Sequence, residues 1–232
     1  MSWFCALALV GQGLDSHLQL ELVHKGVAVD CPKMLRDEAA QKQRLSQRAE
    51  PHVSSLAEFV RGLRNKMGPE VSIPYFDPWD GGVEAEVPFL LEAPGPKARN
   101  SGFISMNNPD GTAKNFFELI HAANIDRRRI ALWNTVPWYI GSGDKIRPAS
   151  TSDIVSGVES LADLLRLLPR LRVVVLVGAK AKKIEKHIQS IAPDLEVFSS
   201  PHPSPMFVNR RPGNREMILN SWIAVRLFME GR

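Results

Sequence analysis

The segment Val173-Val174-Val175-Leu176-Val177 constrains this chain most: five apolar residues in a row, four of them β-branched. An uninterrupted apolar run of this length, without polar alternation, reads as a strand covered on both faces, the pattern of parallel sheets sandwiched by helices. Three further runs resemble it: Val87 to Leu91, Arg129 to Trp133 and Leu195 to Phe198. Between and around them lie segments of helical periodicity: Ala113 to Asn124, Ile154 to Leu168, the basic stretch Ala179 to Ser190, and Asn214 to Met229. Strands alternating with helices predict an α/β fold, a single domain with a central, mostly parallel four-stranded sheet flanked by helices. Upstream, residues 32–67 predict helices divided at Pro51, with Leu56, Phe59, Val60 and Leu63 at helical spacing, and 73–82 form a Pro/Gly/aromatic loop. The expected organisation is an N-terminal helical region, 1–84, packed on a core spanning 85–232.

Composition narrows the function classes. At 232 residues and 44% hydrophobic, the chain can bury a full core. Its net charge of +4 is compatible with a polyanionic partner. Two cysteines, Cys5 and Cys31, cannot build a cysteine-only zinc or iron–sulfur site, and free thiols in a reducing cytoplasm are expected. The apolar start Met1 to Val10 lacks a basic flank and a clear cleavage site, so a signal peptide is not expected. No apolar run reaches the length of a membrane span.

In a sheet of this kind ligands bind beyond the carboxyl ends of the strands. Three of those ends are followed by Glu92-Ala93-Pro94-Gly95-Pro96, Asn134-Thr135-Val136-Pro137-Trp138 and Ser199-Ser200-Pro201-His202-Pro203-Ser204-Pro205. The first offers a carboxylate beside a rigid turn whose amides can approach a ligand. Asn134 offers a donor and an acceptor together, the pair needed to read the polar edge of a nucleobase. His202, held between prolines, offers an imidazole suited to a developing charge. Singly, these are ordinary residues of turns, caps and surface loops; their ordered occurrence at three strand ends points to one site.

Together these motifs resemble the uracil-DNA glycosylase superfamily over roughly residues 85–228. His202-Pro203-Ser204-Pro205 matches one motif of that family, and Leu91-Glu92-Ala93-Pro94-Gly95 is similar to the Gly-Glu-Ala-Pro-Gly of its iron–sulfur-bearing branch. Ser101-Gly102-Phe103 approximates a Gly-x-Pro-Phe element, and Leu132-Trp133-Asn134 resembles the hydrophobic strand that ends in asparagine. The chain departs from the branch in lacking its four cysteines, so neither a cluster nor any other cofactor or metal is expected. Leu91 replaces a Gly. Ala93 stands where the best-known glycosylases have a water-positioning Asp, and Gly95 where some have a Tyr that excludes the thymine methyl.

The resemblance implies a monofunctional DNA-repair glycosylase that flips uracil, or another deaminated base, out of DNA and hydrolyses its N-glycosidic bond. Glu92, His202 and Asn134 are its implied catalytic residues. Ala93, Pro94, Gly95 and Phe103, with Asn134, are its implied base pocket, Phe103 stacking on the ring and the Ala93 amide joining His202 at the anionic base. Pro203, Ser204, Pro205 and Met206 would grip DNA, with Met206 entering the base stack, and Lys97, Arg99, Arg210, Arg211 and Arg215 would contact phosphates. Lys180, Lys182, Lys183 and Lys186 read as a solvated helix face. A monomer acting on DNA, away from membranes, is expected. Two rivals are a DNA-binding protein of the same fold with weak or no catalysis, sensing uracil or abasic sites, and a hydrolase of free nucleosides or nucleotides.

Overall fold

A computed structural model describes residues 29–231. In chain order it comprises α1 (Glu38–Ser46), α2 (Pro51–Met67), β1 (Tyr75–Phe76), β2 (Val87–Leu91), α3 (Pro96–Ser101), β3 (Phe103–Ile104), α4 (Gly111–Ala122), β4 (Ile130–Asn134), β5 (Gly141–Ser142), β6 (Lys145–Ile146), α5 (Thr151–Val158), α6 (Leu161–Arg166), β7 (Val173–Val177), α7 (Glu185–Ile191), β8 (Glu196–Ser200), α8 (Pro205–Val208) and α9 (Asn214–Met229). Four strands form the central sheet in the order β4-β2-β7-β8, all parallel. The protein is thus an α/β sheet flanked by helices, as the strand pattern predicts.

Burial explains the pattern of each strand. Every residue of β7 is buried, the result expected for an apolar run with no alternation. β8 lies at a sheet edge and is mostly half-buried or exposed. β4 also ends the sheet, yet all five of its residues are buried. A second layer covers it: Phe76 stacks on Trp133 at 4.1 Å between ring centroids, and Phe59 of α2 meets the same indole at 6.1 Å. β1 pairs in parallel with β3, so the segment expected to be a loop contributes a two-residue strand.

Pro51 is the first residue of α2, where its missing N–H costs no helical hydrogen bond. Leu35, Leu56 and Val60 belong to the same continuous core as Phe89, Val175 and Trp222, so the described N-terminal helices share the core of the sheet. Two expected helices are broken. The stretch 154–168 divides into α5 and α6, α5 opening on a capping box between Ser150 and Asp153. The stretch 179–190 begins as a short 3-10 turn, Ala181–Ile184, before α7. Cys31, expected as a free thiol, is disulfide-bonded. The apolar start at residues 1–10 lies outside the described residues.

A buried ionic network joins the N-terminal region to the core. Arg127 donates from Nε to Asp80 (2.7 Å), from Nη2 to Asp77 (2.8 Å) and from Nη1 to Asp30 (2.7 Å). Arg44 of α1 binds the other oxygen of Asp77 and lies over the ring of Trp79, 3.5 Å from its centroid. Asn107 accepts from both arginines and donates to Asp30. Burial opposes ionisation of Asp77, but the two guanidiniums hold its carboxyl below the usual range. Asp80 has one guanidinium partner, and burial pushes it up to about 7.

Candidate active site

The parallel register decides where the chemistry gathers. Leu91 pairs with Asn134 and Val177 with Ser200, so all four strands end at nearly one level. The residues that follow them, Glu92 to Pro96 after β2, Gly178 after β7 and Pro201-His202 after β8, therefore share one edge with Asn134. That edge opens into a cavity of about 480 Å³. Glu92, Ala93, Pro94, Gly95, Lys97, Asn134 and His202 line it, together with Asp110, Phe116, Ile146 and Arg147.

The hydrogen-bonding groups facing this cavity are largely unspent. Asn134 is only 4% exposed, yet its carboxamide makes no hydrogen bond to a described residue. Buried amides usually find partners within the protein, so an unspent one on a cavity wall is available to a ligand. The His202 imidazole and the Ala93 amide are likewise without partners among the described residues. Burial pushes the His202 imidazole below its ordinary value, against the pull of the Glu92 and Asp110 carboxylates, and so favours the neutral ring. Asp110 caps α4 by accepting from the Ala113 amide at 2.9 Å, and burial raises its own proton affinity.

Glu92 is partly committed. Its Oε1 accepts from the Ala149 amide at 2.6 Å, leaving Oε2 for a ligand or water.

Two glycines set the close packing of the His202 loop. Gly178 has φ +90°, and a Cβ there would stand 3.2 Å from the His202 Cβ. A Cβ on Gly111 would meet Pro205 Cγ at 2.4 Å, so the proline loop rests flush on the start of α4. Asn115 of α4 also donates to the Pro203 carbonyl at 2.8 Å. Gly178→Ala combines a left-handed backbone with crowding of the imidazole; a loss of about 1–2 kcal/mol in urea unfolding is expected.

The structure corrects two sequence expectations. Phe103 is 0% exposed, packs in the core and does not line the cavity, because β3 turns its ring inward beside β1; the aromatic wall is Phe116 of α4. Arg99, expected to contact phosphate, is partly exposed and already has protein partners. It donates to the Gly143 carbonyl at 2.8 Å and covers Tyr139, anchoring the β5–β6 hairpin. Lys180 is half-buried rather than part of a solvated helix face, and its Nζ donates to the Ala149 carbonyl at 2.6 Å.

The remaining candidates are placed as follows. Met206 is 83% exposed at the start of α8, and Ser204 caps that helix by accepting from the Phe207 amide. Lys97, Arg210 and Arg211 are exposed, while Arg215 pairs with Glu118 at 3.2 Å. Sequence reasoning missed Asp110, Phe116, Ile146 and Arg147. The only signal available for them was the Asp110-Gly111 cap before an apolar helix.

A family model for the uracil DNA glycosylase superfamily matches residues 78–226. The chain belongs to that superfamily. Its match takes in all four strands of the central sheet and the three polar strand ends that line the cavity. Among solved structures, a provisionally named uracil DNA glycosylase of Methanosarcina acetivorans, determined by solution NMR, aligns at 17% identity with a TM-score of 0.44, covering 62% of this chain and 92% of that one. No curated protein sequence matches the chain.

Proposed function

We propose that this protein is a monofunctional DNA glycosylase that takes uracil, or another deaminated base, out of DNA and hydrolyses its N-glycosidic bond to leave an abasic site. One observation carries the reading: the Asn134 carboxamide, the His202 imidazole and the Ala93 amide meet on one cavity with their hydrogen-bonding capacity unspent among the described residues.

The chemistry needs such an arrangement. A base can reach a cavity of this kind only when extruded from the stack. Asn134 presents a donor and an acceptor to the amide edge of uracil, the edge on which cytosine has the roles exchanged. As the glycosidic bond breaks, the electron pair passes to the base and negative charge builds on its O2. Neutral His202 and the Ala93 amide donate there, preorganised on the cavity wall. The sugar turns oxocarbenium-like and is attacked by water, which Glu92 Oε2 orients while it offsets the charge of the sugar cation; the new C1–O bond replaces the broken C1–N bond, and the proton that the water gives up neutralises the departing base anion by way of solvent. Superfamily membership supports DNA as the partner. Met206 fills the space vacated in the duplex, and Lys97, Arg210 and Arg211 meet phosphates, so binding weakens steeply with added salt. The protein works as a monomer in the cytoplasm, with no cofactor in the reaction.

The test uses end-labelled single- and double-stranded oligonucleotides carrying one uracil, followed by alkali cleavage of abasic sites. Strand breaks at the uracil that disappear in His202→Ala are expected. Intact oligonucleotides with the wild-type protein would remove the uracil assignment, and hypoxanthine, xanthine and abasic substrates would then separate another lesion from a non-catalytic sensor.

A further inference from the structure

The chain between β4 and α5 does more than connect them. From the end of β4 it makes the β5–β6 hairpin, tied at its tip by Arg99 and by the Tyr139 hydroxyl, which donates to the Gly143 carbonyl at 2.8 Å. It then brings Ile146, Arg147 and Pro148 to the cavity wall. Ile146 is 45% exposed there although it is a large apolar residue. Next comes Ala149, 1% exposed and outside any helix or strand. Its buried backbone groups need partners, and both partners are side chains from the carboxyl edge of the sheet. Glu92, just after β2, accepts from its N–H at 2.6 Å, and Lys180, shortly after β7, donates to its C=O at 2.6 Å. The strap thus reaches from the end of β4 across to the ends of β2 and β7, the next two strands of the sheet, and is pinned at one residue.

We propose that Lys180 is a positioning residue: by holding the Ala149 carbonyl opposite Glu92 it fixes both the cavity wall formed by residues 146–148 and the carboxylate that faces the reacting centre. Its effect on rate rests on the glycosylase reading above, whereas its effect on the strap does not. Without the ammonium, the Ala149 carbonyl is left buried and unpaired, the strap lifts, and Glu92 loses the amide that orients it. Lysine suits the task because its flexible stem delivers three donors to one point.

The full-length protein, its Lys180→Met variant and its Lys180→Arg variant are compared in two measurements. Hydrogen exchange at the Ala149 amide reads the strap directly; excision from a single-stranded uracil oligonucleotide reads its consequence. In Lys180→Met, exchange at Ala149 is expected to speed up at least tenfold with core amides of β7 unchanged, and kcat to fall at least tenfold with a smaller change in KM. Lys180→Arg restores most of both. Unchanged exchange at Ala149 in Lys180→Met overturns the clamp. Faster exchange with unaltered kcat overturns the positioning role. If the wild-type protein excises no uracil, affinity for the same oligonucleotide replaces kcat, and equal affinities in wild type and Lys180→Met then overturn the positioning role.

Discussion

Arg127→Met is expected to cost about 3–5 kcal/mol of folding stability, the loss typical of removing one partner from a buried ion cluster. Arg127 is the hub of that cluster, binding Asp80, Asp77 and Asp30 at once. Asp77 is buried and would keep Arg44 as its one guanidinium, beside its bonds from Ser105 and the Trp79 amide; Asp80 would have no cation hydrogen-bonded to it. A marginally stable domain has only about 5–15 kcal/mol in hand, so the variant should unfold at a much lower denaturant midpoint, with the melting temperature down by roughly 10 °C. An unchanged midpoint would mean that the cluster is solvated in solution. The same network sets a pH dependence. With Arg44 and Arg127 balanced by Asp77 and Asp30, an ionised Asp80 is the surplus charge, and its Oδ2 is buried with no partner. Its folded-state pKa is raised from the ordinary 3.8 to about 7. The linked stability is therefore fully present below about pH 4 and is lost as pH rises through 7. Asp80→Asn removes this loss, so denaturant titrations should show the variant gaining on the wild type between pH 5 and 7; a constant difference over that range would contradict the raised pKa.

Much of this fold was legible in the sequence, and the reason is physical. β7 and β2 are buried on both faces, so their residues carry an unbroken apolar signal over five positions, and Pro51 could only begin a helix. The site motifs were legible because parallel strands of similar length end together, which converts three separate polar segments into one edge. What stayed hidden depends on long-range packing. Phe103 sits next to a motif-like Gly102, but the pairing of β3 with β1 decides where its ring goes, and those strands are two residues each. Lys180 looks like one lysine of a basic stretch; its role appears only when Ala149, 31 residues earlier, arrives beside it. The hydrogen bond of Arg99 stays hidden for the same reason, since its acceptor Gly143 lies 44 residues away. Arg127, in a run of three arginines, gives no sign that it is the buried one.

His202→Ala is the active-site change with the largest expected effect, a fall in kcat of about 10²–10³-fold, the size usual for deleting one preorganised donor to a developing oxyanion. The expected proton state makes the prediction sharper. Burial lowers the imidazole below its ordinary 6.5 despite two nearby carboxylates. At neutral pH the ring is then uncharged and donates through a single N–H. The ratio of wild-type to His202→Ala rates should accordingly stay constant from pH 7 to 8.5. A ratio that drops about tenfold per pH unit across that range would identify the imidazolium as the working species and overturn the neutral donor. Stability provides an independent reading of the same group. A base whose folded-state pKa is depressed binds more protons when unfolded, so its contribution is present at neutral pH and is lost on acidification below about 6.5. Replacing it by alanine removes that dependence, and the difference in stability between wild type and variant should shift against the wild type as pH falls from 7 toward 5. Since Asp80 is intact in both proteins, its opposite pH dependence cancels in the comparison, and the remaining slope reports the removal of the His202 imidazole.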